Sequence, residues 1–165
     1  MRKDVSDLIL NLNGRQLDYG FFIDALIEDI VFPNLGDNNE FIFKGAIFRN
    51  VVFRNIRFLG ADIGEAKFEN CSFFNCSLAK CDMYKTEFHH CCFKNTNFRG
   101  IRLIEGLIEY CIFCGVDFHA SLVVKSMLNE NIMSDKFKGE LFQTKLKKCL
   151  WGESYYEELF VTAKK

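Results

Sequence analysis

From Phe43 to Phe118 an apolar residue recurs at every fifth position: Phe43, Phe48, Phe53, Phe58, Ile63, Phe68, Phe73, Leu78, Met83, Phe88, Phe93, Phe98, Leu103, Ile108, Phe113 and Phe118. Two residues before each stands a second, generally smaller set that includes Ala46, Val51, Ala61, Cys71, Cys81, Cys91, Thr96 and Cys111. A helix repeats at about 3.6 residues and a strand at about 2, so a period of five fits neither. It predicts a repeat architecture, in which each short unit buries its apolar face only by stacking on its neighbours. One large and one small side chain per unit point inward, and the other three residues face outward or turn. Four units close a square coil, and coils stack at the strand spacing of about 4.8 Å. Residues one coil apart then lie above one another. Phe53, Phe73, Phe93 and Phe113 form one column, Cys71, Cys91 and Cys111 a second, and Asn55, Asn75 and Asn95 suit an amide ladder at the turns. An axis filled with Phe leaves no room for a ligand, so the pattern predicts an all-β solenoid with a packed core.

Units such as CSFFN, CSLAK, CDMYK, TNFRG and ADIGE resemble the pentapeptide-repeat pattern A(D/N)LXX in its Cys- and Phe-rich variety. The resemblance covers roughly half to two-thirds of the chain. It implies a right-handed quadrilateral β-helix and says almost nothing about function.

Outside the array the pattern changes. Leu12, Leu17, Phe22, Ile27 and Phe32 are also five apart but in another phase, which makes residues 1–40 an N-terminal cap or an out-of-phase first coil plus a loop. The segment Tyr19–Val31 also shows spacings of three and four, so a coil and a capping helix both fit residues 12–32. Pro33–Glu40 carries one residue too many for the period and reads as a bulging loop. Residues 41–135 are the β-helix. In residues 136–165, Leu141, Phe142, Leu146, Cys149 and Leu150 lie on one stripe with Lys145, Lys147 and Lys148 elsewhere, which predicts an amphipathic C-terminal helix. Nearby outward positions are apolar, among them Ile104, Leu107 and Leu122. Such a patch calls for a cap or an interface. A homodimer through Leu141–Phe160 fits the same features, and in the family that the chain resembles this arrangement is frequent.

The 165 residues fit one domain. No run of apolar residues is long enough to span a bilayer, and the N-terminus lacks the apolar core and cleavage pattern of a signal peptide. Eight Cys without an export signal point to a reducing cytoplasm and free thiols. His89, His90, Cys91 and Cys92 look like a metal cluster only as a string. Under the repeat Cys91 turns inward and the others leave the coil in different directions, so four converging zinc ligands are not expected. Carboxylates alternate with Lys and Arg along the array as on a solvated surface. No nucleophile–base pair or phosphate-binding loop is readable, so neither an enzyme nor a cofactor is expected.

The net charge is −1, but it is unevenly spread. Residues 1–40 hold three basic and eight acidic side chains, whereas Lys44, Arg49, Arg54 and Arg57 make a basic collar on the first regular coil. Characterised relatives in the resembled family protect DNA gyrase and topoisomerase IV as mimics of duplex DNA, which carries about one negative charge per 1.7 Å. A near-neutral rod departs from that requirement. The collar is too small, and too poor in aromatic–Arg platforms, to predict direct nucleic-acid binding. The expected function is a non-enzymatic protein-binding rod of the bacterial immunity or self-protection type, directed at a toxin or its target. A topoisomerase-protecting DNA mimic and a secreted effector or targeting scaffold are the alternatives. Candidate partner-binding residues are Asp37 and Glu40 of the loop, the basic collar, and Ile104, Leu107 and Leu122.

Overall fold

The structure is a computed structural model that describes residues 3–6, 17–30, 43–58, 60–135 and 137–162. The five-residue period becomes a parallel solenoid. On one side of the coil Phe48, Phe68, Phe88, Ile108 and Leu128 stand in register. On the next side the column is Ile27, Phe53, Phe73, Phe93, Phe113 and Met133. Strands on these two sides form one 15-stranded sheet, and Arg102–Ile104, Leu122–Val124 and Glu140–Phe142 form a second sheet on another side. The fourth side is held by single bridges, Arg57 to Ser77 to Asn97 to Asp117.

Stacked strands dictate stacked rings. Phe53, Phe73, Phe93 and Phe113 follow one another with centroids 4.6, 4.7 and 4.8 Å apart and planes within 15°. Neighbouring columns meet edge-on, as at Phe48–Phe53 (5.2 Å, 66°) and Phe88–Phe93 (5.3 Å, 77°). Both arrangements are the favoured ones for aromatic pairs. The free space along the axis around Phe113, Met133 and Trp151 is about 10 Å³, at or below what one water needs. The smaller inward positions are satisfied as well as packed. Thr86 and Thr96 donate to the Ile63 and Phe73 carbonyls, and the Cys71, Cys91 and Cys111 thiols face the Phe48, Phe68 and Phe88 carbonyls at 3.4–3.5 Å.

The turns explain why the period is five. Every fifth residue from Gly45 to Glu130 has positive φ, between 48° and 70°. Left-handed backbone costs an ordinary L-residue about 1–2 kcal/mol. Asn tolerates it best, and Asn fills five of these corners, at 50, 55, 70, 75 and 95. The corners persist because each is bonded to the next coil: the Asn75 N–H donates to the Lys94 carbonyl and the Asn95 N–H to the Cys114 carbonyl, at 3.0 and 2.9 Å. The expected amide ladder is present as long contacts, Asn95 to Asn75 at 3.4 Å and Asn75 to Asn55 at 3.5 Å, and ends on Asp29 at 2.7 Å.

At the N-terminal end the coil prevails over the helix. Phe21–Ile23 pairs in parallel with Ile47–Arg49, and Ala25–Glu28 with Val52–Arg54. Phe22 stacks on Phe48 at 4.8 Å. The offset of 26 residues between these partners, in place of 20, accounts for the change of phase. The Pro33–Glu40 segment, with Asp37 and Glu40, lies outside the described residues.

The expected C-terminal helix is corrected by the structure. Glu140–Phe142, Thr144–Trp151 and Ser154–Val161 are all strands. Leu141, Leu146 and Trp151 are again five apart and pair with Val123, Leu128 and Met133. The offset is 18 residues, two fewer than before, and this shortened coil hid the returning period. Gln143 and Lys148 turn its corners with φ of 47° and 49°. The apparent helical stripe joined inward Leu146 to Leu150, which faces solvent at 39% exposure. After Gly152 (φ 57°) the chain turns back, and Ser154–Val161 pairs antiparallel with Thr144–Trp151. No helix among the described residues is long and apolar enough to cross a membrane.

Candidate interaction surfaces

The inward positions leave little chemistry to the core. Phe53, Phe73, Phe93, Phe113, Cys71, Cys91 and Cys111 are all buried. Burial pushes the Cys76 thiol up to about 11 and Cys81 up to about 12, and it also raises Cys91, which lies between Cys111 and Cys71. Thiols held neutral in this way are small hydrophobes. No disulfide joins any of the eight Cys in the structure, and Cys114 is the exposed one.

The basic collar does not stand free. Arg49 is bonded to Glu69 at 2.7 Å, and Arg54 meets Glu28 at 3.2 Å. The Arg49 hydrogen bond draws the Glu69 carboxyl below its ordinary value. Arg57 is exposed on the fourth side, among the single bridges, and the Lys44 backbone N–H donates to Asp18. Lys44, Arg49 and Arg54 lie beside the corners Gly45, Asn50 and Asn55, whereas Arg57 lies within a side, before the corner at Gly60.

The row continuing from Arg49 is an electrostatic ladder: Arg49, Glu69, His89, Glu109 and Asn129 stand in register. His89 Nδ1 lies 2.9 Å from Glu109 and Nε2 lies 3.2 Å from Glu87, which also pairs with Lys67 at 3.1 Å. Burial raises the Glu87 carboxyl, but its bonds to Lys67 and His89 outweigh this and leave it lowered. Asn129 donates to the other oxygen of Glu109 at 3.3 Å. The string His89 to Cys92 is dispersed by the coil: His90 stacks on Tyr110 at 4.8 Å, Cys91 is buried, and Cys92 lies on the next side. No group of three or more His, Cys, Asp or Glu among the described residues could hold a metal ion.

The C-terminal end differs. Ile104, Leu107 and Leu122 are half-buried, Ile104 and Leu122 on the smaller sheet and Leu107 on the adjacent side. A more exposed row, of which only Ile112 stands out in the sequence as an outward apolar position, runs along the Phe53–Phe113 side: Ile112 and Ile132 at 49%, Leu150 at 39% and Tyr155 at 58%. These four are register neighbours across successive strands. The signal available for Ile112 and Ile132 was their apolar character one residue before an inward position. Beyond them the open end forms an apolar hollow of about 630 Å³ against Phe137, Leu141, Leu146, Trp151, Tyr156 and Leu159.

Comparison with known proteins places the repeat in a family. The profile of pentapeptide repeats matches residues 43–73 and 65–100, with eight copies of the unit. No curated protein matches the sequence. Among solved structures, the chain is similar to a trypsin-treated variant of QnrB1, a plasmid-mediated fluoroquinolone resistance protein. The match has a TM-score of 0.51 and 12% identity over 92% of this chain and 85% of that one. It is also similar to HetL, a pentapeptide repeat protein involved in heterocyst differentiation regulation from the cyanobacterium Nostoc sp. strain PCC 7120. There the TM-score is 0.42, with 10% identity over 83% and 76% of the two chains. At these identities the likeness to solved structures is one of fold.

Proposed function

We propose that the chain, whose residues 43–100 match the pentapeptide-repeat profile, is a non-enzymatic, protein-binding rod of the cytoplasm. In this reading it serves bacterial immunity or self-protection and binds a toxin or the toxin's target. One observation carries the reading: the axis is saturated with stacked Phe, so whatever the molecule recognises meets its outer surface or its open end. The raised thiols favour a passive core over a nucleophilic one. Direct binding to nucleic acid is disfavoured by the pairing of Arg49 and Arg54 with Glu69 and Glu28. The name of QnrB1 makes fluoroquinolone resistance, and with it topoisomerase protection, the leading alternative. A net charge of −1 weighs against mimicry of duplex DNA, and a secreted effector or targeting scaffold is the remaining one. A homodimer through Leu141–Phe160 would use the same apolar end.

The test is retention of a partner on the immobilised full chain, followed by co-expression of chain and partner. The expected result is that the chain relieves growth inhibition caused by the partner, or by the partner's poison. In parallel, a gyrase supercoiling assay with a fluoroquinolone reads the alternative. Protection there without any retained toxin would replace the immunity reading by the topoisomerase one.

A further inference from the structure

The terminal strand Ser154–Val161 is an edge. It pairs with Thr144–Trp151 on one side, and no other strand among the described residues pairs with it. Since sheets stack along the rod, the free edge faces away from the coils, and its unpaired backbone groups form a template for one more strand. Edges are usually blunted by charged side chains, Pro, bulges or brevity. This one is eight residues long, SYYEELFV, without Pro and with Glu157 and Glu158 as its charges, and Tyr155, Leu159 and Phe160 are 58%, 40% and 56% exposed.

Its charge selects the occupant. Antiparallel pairing with a second copy, centred on the strand, sets Glu157 of each copy opposite Glu158 of the other, and like charges directly opposite are destabilising. Moving the register by two residues shortens the pairing and sets the two glutamates opposite Phe160 and Leu159, or opposite Tyr156 and Tyr155. Glu158 is already engaged by Lys145. Glu157 accepts the Tyr155 hydroxyl at 2.7 Å and has no ion pair among the described residues. Because the strand follows the corner at Lys148, Tyr156 and Leu159 both stand opposite inward residues, Cys149 and Leu146, and line the apolar hollow.

We propose that Ser154–Val161 is a strand-addition site for an extended protein segment carrying an apolar–basic–basic–apolar core. Its two Lys or Arg residues stand opposite Glu158 and Glu157, and its apolar residues stand opposite Leu159 and Tyr156, closing the hollow. Main-chain bonds give such a complex its affinity and the side-chain pockets its selectivity. This refines the binding-rod reading, but its test needs no native partner, so the two fail separately.

The probe is a fluorescein-labelled peptide, Val-Thr-Leu-Lys-Lys-Leu-Thr-Val, titrated against the full chain by anisotropy. It is compared with a Glu-Glu-centred peptide and with a copy N-methylated at alternate backbone amides. The Lys-Lys peptide is expected to bind roughly threefold to thirtyfold tighter than the Glu-Glu peptide, as two favourable cross-strand charge pairs allow. Glu157→Lys should erase or invert that preference, and N-methylation should abolish binding. Amide exchange across residues 154–161 should slow when the Lys-Lys peptide is added. Absence of binding, equal binding of both peptides, or retained binding of the N-methylated copy would each overturn the proposal. So would sedimentation of the chain alone as a dimer with those amides already protected, since a second copy would then hold the edge.

Discussion

Phe93→Ala probes the stacked core most directly. The ring is fully buried, stacked on Phe73 at 4.7 Å and on Phe113 at 4.8 Å, and edge-on to Phe88 and Phe98 at 5.3 and 5.1 Å. Truncating a buried Phe costs about 3–5 kcal/mol, depending on how far the site collapses. Collapse is opposed here on both sides. Cys92 N–H to the Cys71 carbonyl and Ile112 N–H to the Cys91 carbonyl, each 2.9 Å, hold the adjoining coils at their spacing. The void should therefore persist and the loss should fall in the upper part of that range, about 4–5 kcal/mol. Phe93→Leu should cost less than Phe93→Ala, because it leaves a smaller void and Leu already fills inward positions at 78 and 103. Lys94→Ala, on the exposed side of the same strand, should stay within about 0.5 kcal/mol. The assay is guanidinium unfolding followed by circular dichroism, with an unchanged slope required before midpoints are compared. Hydrogen exchange checks for partial opening, since solenoids unfold by neighbouring repeats. Equal midpoint shifts for Phe93→Ala and Lys94→Ala would falsify the inward assignment of the five-residue column.

Three further outcomes follow from the geometry. Ala120 turns a corner with φ of 56° while exposed, so Ala120→Gly should raise stability by up to about 1 kcal/mol and Ala120→Val should lower it; thermal melts read the sign. A thiol reagent at pH 8 should modify Cys114 fast and Cys92 more slowly, and should reach all eight Cys only after unfolding. Faster labelling of Cys81 than of Cys114 in the folded chain would contradict the burial. Cys76 and Cys81 have folded pKa values raised to about 11 and about 12 from an ordinary value of 9.0. Their stabilising contribution is thus complete below about pH 9 and declines as pH rises through 11–12, because only the unfolded chain ionises in that window. Denaturant midpoints from pH 8 to 11 should fall, and Cys81→Ala should flatten the fall.

How much of this was legible depended on what fixes each residue. The core was open to reading because stacking forces identical chemistry onto positions twenty apart: Phe53, Phe73, Phe93 and Phe113 announce their own column. Local rules failed where the period was intact but its phase moved. At Leu141, Leu146 and Trp151 the spacing was the same as in the array, yet a coil shortened by two residues broke the link to Val123, Leu128 and Met133. Residues at spacings of three and four then imitated a helix. The pairing of the collar was hidden for another reason. Arg49 and Arg54 are basic in isolation, but their acidic partners Glu69 and Glu28 stand 20 and 26 residues away. That distance becomes contact only once the offset of each coil is known.

The same constraint shows where recognition can reside. Of five positions per unit, two are committed to the core and one to a left-handed corner, so only the two flanking the large inward residue are free to vary. Stacking turns those two into rows, and each row can be read as a unit. The row Arg49, Glu69, His89, Glu109 and Asn129 sets each carboxylate between nitrogen-bearing side chains and spends its hydrogen bonds on itself. Exposed pairs of this kind add little to stability, and a partner would have to break them before binding. The row Val52, Ser72, Cys92, Ile112, Ile132 and Leu150 runs the other way. It begins buried and mixed and ends exposed and apolar, one strand from an unpaired edge. Nothing in the array requires Ile112, Ile132 and Leu150 to be apolar, since their side chains contribute nothing to the filled axis. Covering them would offset the cost of leaving them in water, so the binding-rod proposal favours the C-terminal coils over the self-paired flank as its point of contact.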